Sequence, residues 1–274
     1  MKAQRFTNTF GPWAVVTGAS SGIGTGYARE LAARGINLVL VARNDVRLKE
    51  LADELEQAHG VETRVAPADL SDPGFLARVQ AVTDSVDVGL LVSNAGVASM
   101  GATLRVDLDE LARNLQVNTE AHLRLAHHFG RRLEQRGGGG IVLVGSMAGM
   151  QGTPFGGNYA GAKAYLHTLG QALNYELKGK GIHVSVIAPG PTDTPAVTNR
   201  SDIDLSKLPG PVMAVDKLVR ISLEGLAKNK PLVIPGASNR MIDWMSRRVM
   251  PRQAGRNMMG AITAKHVPAE LSIR

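Results

Sequence analysis

Short, almost wholly apolar runs alternate along this chain with longer stretches in which apolar positions recur every three or four residues. The short runs predict strands at Ala14–Thr17, Ile36–Ala42, Val61–Ala66, Val88–Val92, Ile141–Gly145, Ile182–Ala188 and Leu232–Ile234. Between them, "TGYARELAARG", "DVRLKELADELEQAHG" and "LDELARNLQVNTEAHLRLAHHFGRRLEQ" read as helices. So does 158–177, where Leu166, Leu169, Leu173 and Leu177 form one apolar stripe. Runs such as "LVLVA" and "IVLVG" do not alternate, as expected of strands covered on both faces. Strand–helix alternation of this kind predicts an α/β fold: a doubly wound, mostly parallel seven-stranded sheet between two helical layers, followed by a C-terminal helical extension. "GGGG" at 137–140 reads as a flexible loop ahead of a strand. With neither linker nor repeat in view, residues 1–274 read as a single domain, with 240–274 as a basic, Met-rich extension.

Composition narrows the chemistry. The absence of cysteine among 274 residues excludes disulfides, thiolate nucleophiles and cysteine-bound zinc. No continuous apolar h-region marks the N-terminus, and no apolar run approaches the roughly 20 residues of a membrane span, so a cytoplasmic location is expected. The net charge of +7 is unevenly placed: seven basic and two acidic residues between Asn239 and Arg274 account for most of it. The body is close to neutral and lacks basic–aromatic interleaving, which argues against a nucleic-acid partner. The seven histidines show no ligand spacing, so no metal is expected and they read as surface or packing residues.

Two stretches carry candidate chemistry. The first strand runs into "TGASSGIG", in which Gly18, Ser20, Ser21, Gly22, Ile23 and Gly24 form a glycine-rich turn opening a helix. Such a turn lets backbone approach a pyrophosphate, and the helix start offers free N–H groups. The same letters match G-x-S-x-G, a hydrolase nucleophile elbow on Ser20, but the late histidines His183 and His266 have no supporting signature. The second strand ends in Arg43 and Asn44, 19 and 20 residues beyond Gly24. A guanidinium there suits a ribose 2′-phosphate, so NADP is expected over NAD, with Asp45 nearby as the opposing charge. In the second stretch, Tyr159 and Lys163 stand four residues apart on one helix face. A neighbouring cation lowers an acid's pKa, which would make the phenol a proton donor and acceptor near neutrality.

Taken together, these motifs resemble the short-chain dehydrogenase/reductase family over roughly residues 12–236. "TGASSGIG" is similar to its cofactor loop, and "SNAG" to its NNAG motif, with Ser93 in place of the first Asn. Asn118, Ser146, Tyr159 and Lys163 resemble its catalytic tetrad, with Ser146 preceding Tyr159 by 13 residues. By that resemblance, Ser146 donates to the reacting oxygen and Asn118 holds a water that links Lys163 to solvent. Asp69 and Leu70 fall at the family's adenine-contact position. The resemblance also implies that Asn94, Ala95 and Gly96 line the cofactor and that "PGPTDT", with Pro189, Gly190, Thr192 and Thr194, meets the nicotinamide carboxamide. The resemblance implies hydride transfer between NADP(H) and a carbonyl or secondary alcohol, and a homodimer or homotetramer through the leucine-striped helix. The alternatives are a cofactor sensor without turnover and the serine hydrolase. Met147, Met150 and Phe155 suggest a bulky, apolar, lipid-like or oxoacyl substrate.

The extension reads three ways. Met241, Ile242, Met245 and Val249 recur at helical spacing, and a helix packed on the core is the first expectation. A lid over an apolar substrate is the second, because methionines adapt to varied shapes. A peripheral membrane contact through the arginines and Trp244 is the third.

Overall fold

The computed structural model describes residues 3–195 and 211–272. Among the described residues, seven parallel strands form one sheet: β1 Trp13–Thr17, β2 Asn37–Ala42, β3 Thr63–Pro67, β4 Val88–Ser93, β5 Gly139–Val144, β6 Ile182–Ile187 and β7 Leu232–Val233. Their order is β3-β2-β1-β4-β5-β6-β7. The chain winds outward from β1 in one direction and from β4 in the other, so a crevice opens where the order reverses. One face of the sheet is covered by α1 (Ala3–Phe10), α2 (Gly22–Ala32), α3 (Asp45–His59) and the helix Val215–Ala227. The other is covered by α4 (Phe75–Thr83), α6 (Ala121–Arg136) and α7 (Gly157–Leu177). β1, β4 and β5 are buried throughout, which is why their sequences do not alternate.

Two expectations need correction. Gly139 and Gly140 are not loop but the first residues of β5, paired with Ile182 and His183. Side chains are excluded there because a Cβ on Gly139 would lie 2.6 Å from the Gly89 carbonyl, and one on Gly140 would lie 2.9 Å from the Phe10 ring. That ring belongs to α1, a helix whose eight residues are too few to show a clear period in the sequence. It is held by burial of Phe6 and Phe10. The leucine stripe of α7, expected at a contact between subunits, turns inward instead. Leu166 is in the core, and Leu169, Leu173 and Leu177 pack against the chain's own sheet. Gly170 lets the helix come close to Val186 of β6. The opposite side of α7, with Gly161 and Tyr165, lies beside Leu115 and Leu123 around a small exposed groove.

The long helical sequence from Leu108 to Arg136 is continuous but irregular. α5 (Leu108–Leu115) passes into a π-turn at Gln116–Glu120 before α6 begins. Single π-turns are frequent at functional sites because the inserted residue re-aims its neighbours. No helix among the described residues is long and apolar enough to cross a membrane.

Candidate active site

A cavity of about 1440 Å³ lies at the C-terminal ends of the strands. Pockets for one ligand usually measure about 300–1,000 Å³, so there is room for two molecules side by side.

One half is built by backbone and cations. Gly18, Ser20, Ser21, Gly22 and Ile23 are in its wall. Ser21 is the extended residue before α2, and no side chain caps that helix start. Its first N–H groups are therefore left for an anion, the arrangement a pyrophosphate needs. Gly24, expected as a cofactor contact, is behind the wall. A methyl group there would overlap the Gly18 carbonyl, so its glycine lets turn and helix pack together. Further along, Arg43, Asn44 and Arg47 line the cavity. Asn44 also caps α3 by accepting the Arg47 N–H at 3.0 Å. Asp45 is drawn into that helix's first turn, 2.7 Å from Lys49 Nζ, which turns the nearby opposing charge to another partner. Asp69 and Leu70 close this end. Burial by itself would raise the Asp69 pKa, but the Ser71 N–H and hydroxyl, with Arg113 and Arg43, hold the carboxyl below its usual range. These residues fit a phosphorylated dinucleotide.

The middle is a turn whose polar groups are held one after another. Thr17 Oγ1 accepts the N–H of Asn94 at 2.9 Å and of Ala95 at 3.0 Å. His122 Nε2 bonds the Ala95 carbonyl at 2.9 Å, and its Nδ1 meets Ser93 Oγ at 2.7 Å. A carbonyl only accepts, so Nε2 carries the proton and Nδ1 accepts from the serine. Asn118 Nδ2 donates to the Val97 carbonyl at 2.7 Å, and its Oδ1 accepts the Val97 N–H at 3.3 Å. Asn114 donates to the same carbonyl at 3.0 Å. Thus Ser93, the departure from NNAG, has a dedicated partner in His122. Full burial, then the Lys163 charge, push that histidine down to about 3, so it is neutral. Asn114, Asn118 and His122 recur at intervals of four on one helical run. That periodic polar stripe was the available sequence signal, and the reading of the histidines as surface or packing residues missed it. Asn118 is fully buried and outside the cavity wall. It approaches Lys163 around Gly96, where a methyl would be 2.9 Å from Asn118 Oδ1 and 3.3 Å from Lys163 Nζ.

Tyr159, Lys163 and Ser146 do meet in the wall. Ser146 starts a short turn by accepting the Ala148 N–H at 3.1 Å. Its own N–H points to His167 Nε2 at 3.4 Å, a second histidine the sequence did not single out. Lys163 Nζ donates to the Val144 carbonyl at 3.0 Å and stands 5.6 Å from the centre of the Tyr159 ring. Burial brings Lys163 down to about 8. The phenol differs from expectation: burial raises it above the usual tyrosine value, and the hydrogen bond with Ser146 only partly offsets this. The lysine alone therefore does not make this tyrosine acidic. Pro189, Gly190, Thr192 and Thr194 complete this region, with Asn239 packed on Gly190.

The other half is apolar. Met147 and Met150 meet Ile242, Met245, Met259 and Ile262 from the extension. That extension forms helices Ala237–Arg248 and Arg252–Thr263. Thr263 Oγ1 donates to the Pro154 carbonyl at 2.9 Å, and Ala102 N donates to the Leu271 carbonyl at 2.7 Å. The expected burial of four apolar side chains against the core does not occur. Met241, Ile242, Met245 and Val249 are 56%, 37%, 43% and 61% exposed. The extension roofs the cavity instead.

Among the described residues the hydrolase alternative finds no base. His183 bonds the Leu226 carbonyl at the N-terminal end of β6, away from Ser20, and the His266 side chain lies outside the described residues. Among the described residues no group of acidic residues, histidines or cysteines could hold a metal ion.

The family model for short chain dehydrogenases matches residues 12–204. A 7beta-hydroxysteroid dehydrogenase of Collinsella aerofaciens is 33% identical over 201 residues, spanning 73% of this chain and 74% of that protein. A solved structure described as "Structural and biochemical insights into 7beta-hydroxysteroid dehydrogenase stereoselectivity" matches with a TM-score of 0.85 at 29% identity, over 93% of this chain and 98% of that one. A short-chain dehydrogenase from Sphingobium yanoikuyae in complex with NADPH matches at 0.77 and 37% identity, over 86% and 93%.

Proposed function

The chain belongs to the short-chain dehydrogenase family of oxidoreductases, and from that premise we propose an NADP(H)-dependent reductase of bulky, apolar ketones or aldehydes. The single observation that carries the substrate class is the methionine- and isoleucine-lined half of the cavity, roofed by the extension. The similarity to hydroxysteroid dehydrogenases supports a fused-ring or lipid-like carbonyl of that size. Arg43 and Arg47, with Asp45 tied to Lys49, support NADPH over NADH.

Bound NADPH supplies the hydride. As the carbonyl is reduced, negative charge gathers on its oxygen, and the Tyr159 phenol gives that oxygen a proton. Ser146 donates a hydrogen bond to the same atom, where charge develops in the transition state. Lys163 adds positive charge behind the ring and steadies the phenolate left after transfer. Asn118 and His122 fix the turn that places Asn94, Ala95 and Gly96 against the cofactor. Burial raises the tyrosine above its usual value, so it is the protonated form that meets the carbonyl at neutral pH.

The test is NADPH oxidation against ketones graded in apolar area. The efficiency kcat/KM should rise with area and be higher than with NADH. Turnover confined to small polar carbonyls would overturn the substrate class. The exposed face of Gly161, Tyr165, Leu115 and Leu123 is proposed as the contact between subunits of a homo-oligomer. A mass near that of a 29.0 kDa monomer in light scattering at micromolar concentration would refute it.

A further inference from the structure

The helix Ala237–Arg248 has two apolar faces, and only one of them is used by the cavity. Asn239, Ile242, Met245 and Ser246 turn inward to the cavity wall. At 100° per residue, Arg240, Met241, Trp244 and Arg248 fall together on the other side. All four are exposed, Met241 and Trp244 to 56% each, and Val249, just past the helix, to 61%. A soluble surface helix normally presents charges there, not a methionine and a tryptophan flanked by arginines. The extension also holds most of the chain's net positive charge. Its helices run for 12 residues each, too short to span a bilayer. A basic helix with tryptophan and methionine on its outer face suits the plane of a membrane interface, rings at headgroup level and guanidinium groups among anionic headgroups.

We propose that Arg240, Met241, Trp244, Arg248 and Val249 form a docking surface for an anionic lipid bilayer, set over the mouth of the cavity so that an apolar carbonyl enters from the lipid. Beneath it, apolar side chains belong to both the surface and the cavity. Ile242 and Met245 are both exposed and in the cavity wall, and so is Met258 on the next helix. A substrate leaving the acyl region would meet methionine and isoleucine side chains on its way to Ser146 and Tyr159. The entry route presupposes the apolar substrate proposed above; the docking surface does not. Charge selects the occupant. A second copy of this chain would bring the same arginines to a self-complementary contact and set like charges together, whereas an anionic bilayer complements them.

The experiment is co-sedimentation of the whole protein, without substrate, with phosphatidylcholine vesicles and with phosphatidylserine-rich vesicles. The expected result is binding to the anionic vesicles and release as salt screens charges beyond a Debye length of about 8–10 Å. Tryptophan emission should shift to the blue, a signal assigned to Trp244 because Trp13 is already buried. Arg240→Gln/Arg248→Gln should weaken partitioning about 30-fold, roughly fivefold for each charge near the surface. Met241→Ser/Trp244→Ser should remove the emission shift. In both variants KM should rise for a vesicle-borne ketone, while kcat and KM for the same ketone dispersed in detergent should not change. Equal binding to both vesicle types, binding to neither, or a change in mass by light scattering in Met241→Ser/Trp244→Ser would overturn the docking surface. Because sedimentation needs no turnover, failure to reduce ketones is read separately from failure to bind lipid.

Discussion

Replacing His122 by Phe tests whether the cofactor turn is held as described. Phenylalanine keeps a flat ring of similar size but neither donates nor accepts. The Ala95 carbonyl and the Ser93 hydroxyl then lose partners in the interior, at about 1–3 kcal/mol for each group left unsatisfied. His122→Phe should therefore destabilise the protein by about 2–6 kcal/mol at pH 7.5, and weaken NADPH binding because the Asn94–Gly96 turn loosens. The pH dependence sharpens the test. The folded-state pKa is depressed to about 3, against about 6.5 in an unfolded chain. The stability this residue contributes is thus complete above pH 6.5 and is lost as pH falls toward 3, because the unfolded chain takes up the proton first. At pH 5 the loss from this one group is about 2 kcal/mol, at about 1.4 kcal/mol per pH unit. The unmutated protein carries this loss and His122→Phe does not. Urea unfolding of both proteins at pH 7.5 and pH 5 should show the gap between them narrow by about that amount. A gap of the same size at both values, or under about 1 kcal/mol at pH 7.5, would refute a buried neutral histidine bonded on both sides.

Tyr159→Phe should lower turnover by at least about 10²-fold with NADPH affinity retained, measured by NADPH oxidation and fluorescence titration, since only the proton donor is removed. Arg43→Ala should weaken NADPH about 10–150-fold through loss of a charge-assisted bond of about 1.5–3 kcal/mol and leave NADH affinity unchanged; titration of both cofactors decides it. Reduction should be level through neutral pH, because the raised Tyr159 stays protonated, and alcohol oxidation should climb on the alkaline side as the phenol ionises. Lys163 loses its charge above about 8, which opposes that climb; an oxidation profile that plateaus below neutrality would contradict the raised tyrosine.

The sheet was legible in the sequence because its central strands are buried on both faces and have few polar residues to blur them. β1, β2 and β4 to β6 lie where the apolar runs put them. The glycine turn, Tyr159 and Lys163 were legible too, since their spacing is fixed by one strand–turn–helix junction and one helix face, while Ser146 was reached through the family resemblance. Gly139 and Gly140 were not. Nothing local says that Gly89 and the Phe10 ring crowd them from distant segments. The leucine stripe showed that α7 has an apolar side, but periodicity gives the side and not its neighbour; the sheet occupies it. His122 was hidden for a related reason. Its partners, Ser93 and the Ala95 carbonyl, are nearly thirty residues away along the chain. The extension shows the division most clearly. Its methionines announced an apolar helix, but whether that helix packs on the core, roofs a cavity or faces outward depends on which surface lies beneath it. Local pattern encodes the element and the chemistry it carries, while contacts between distant segments decide what each face meets.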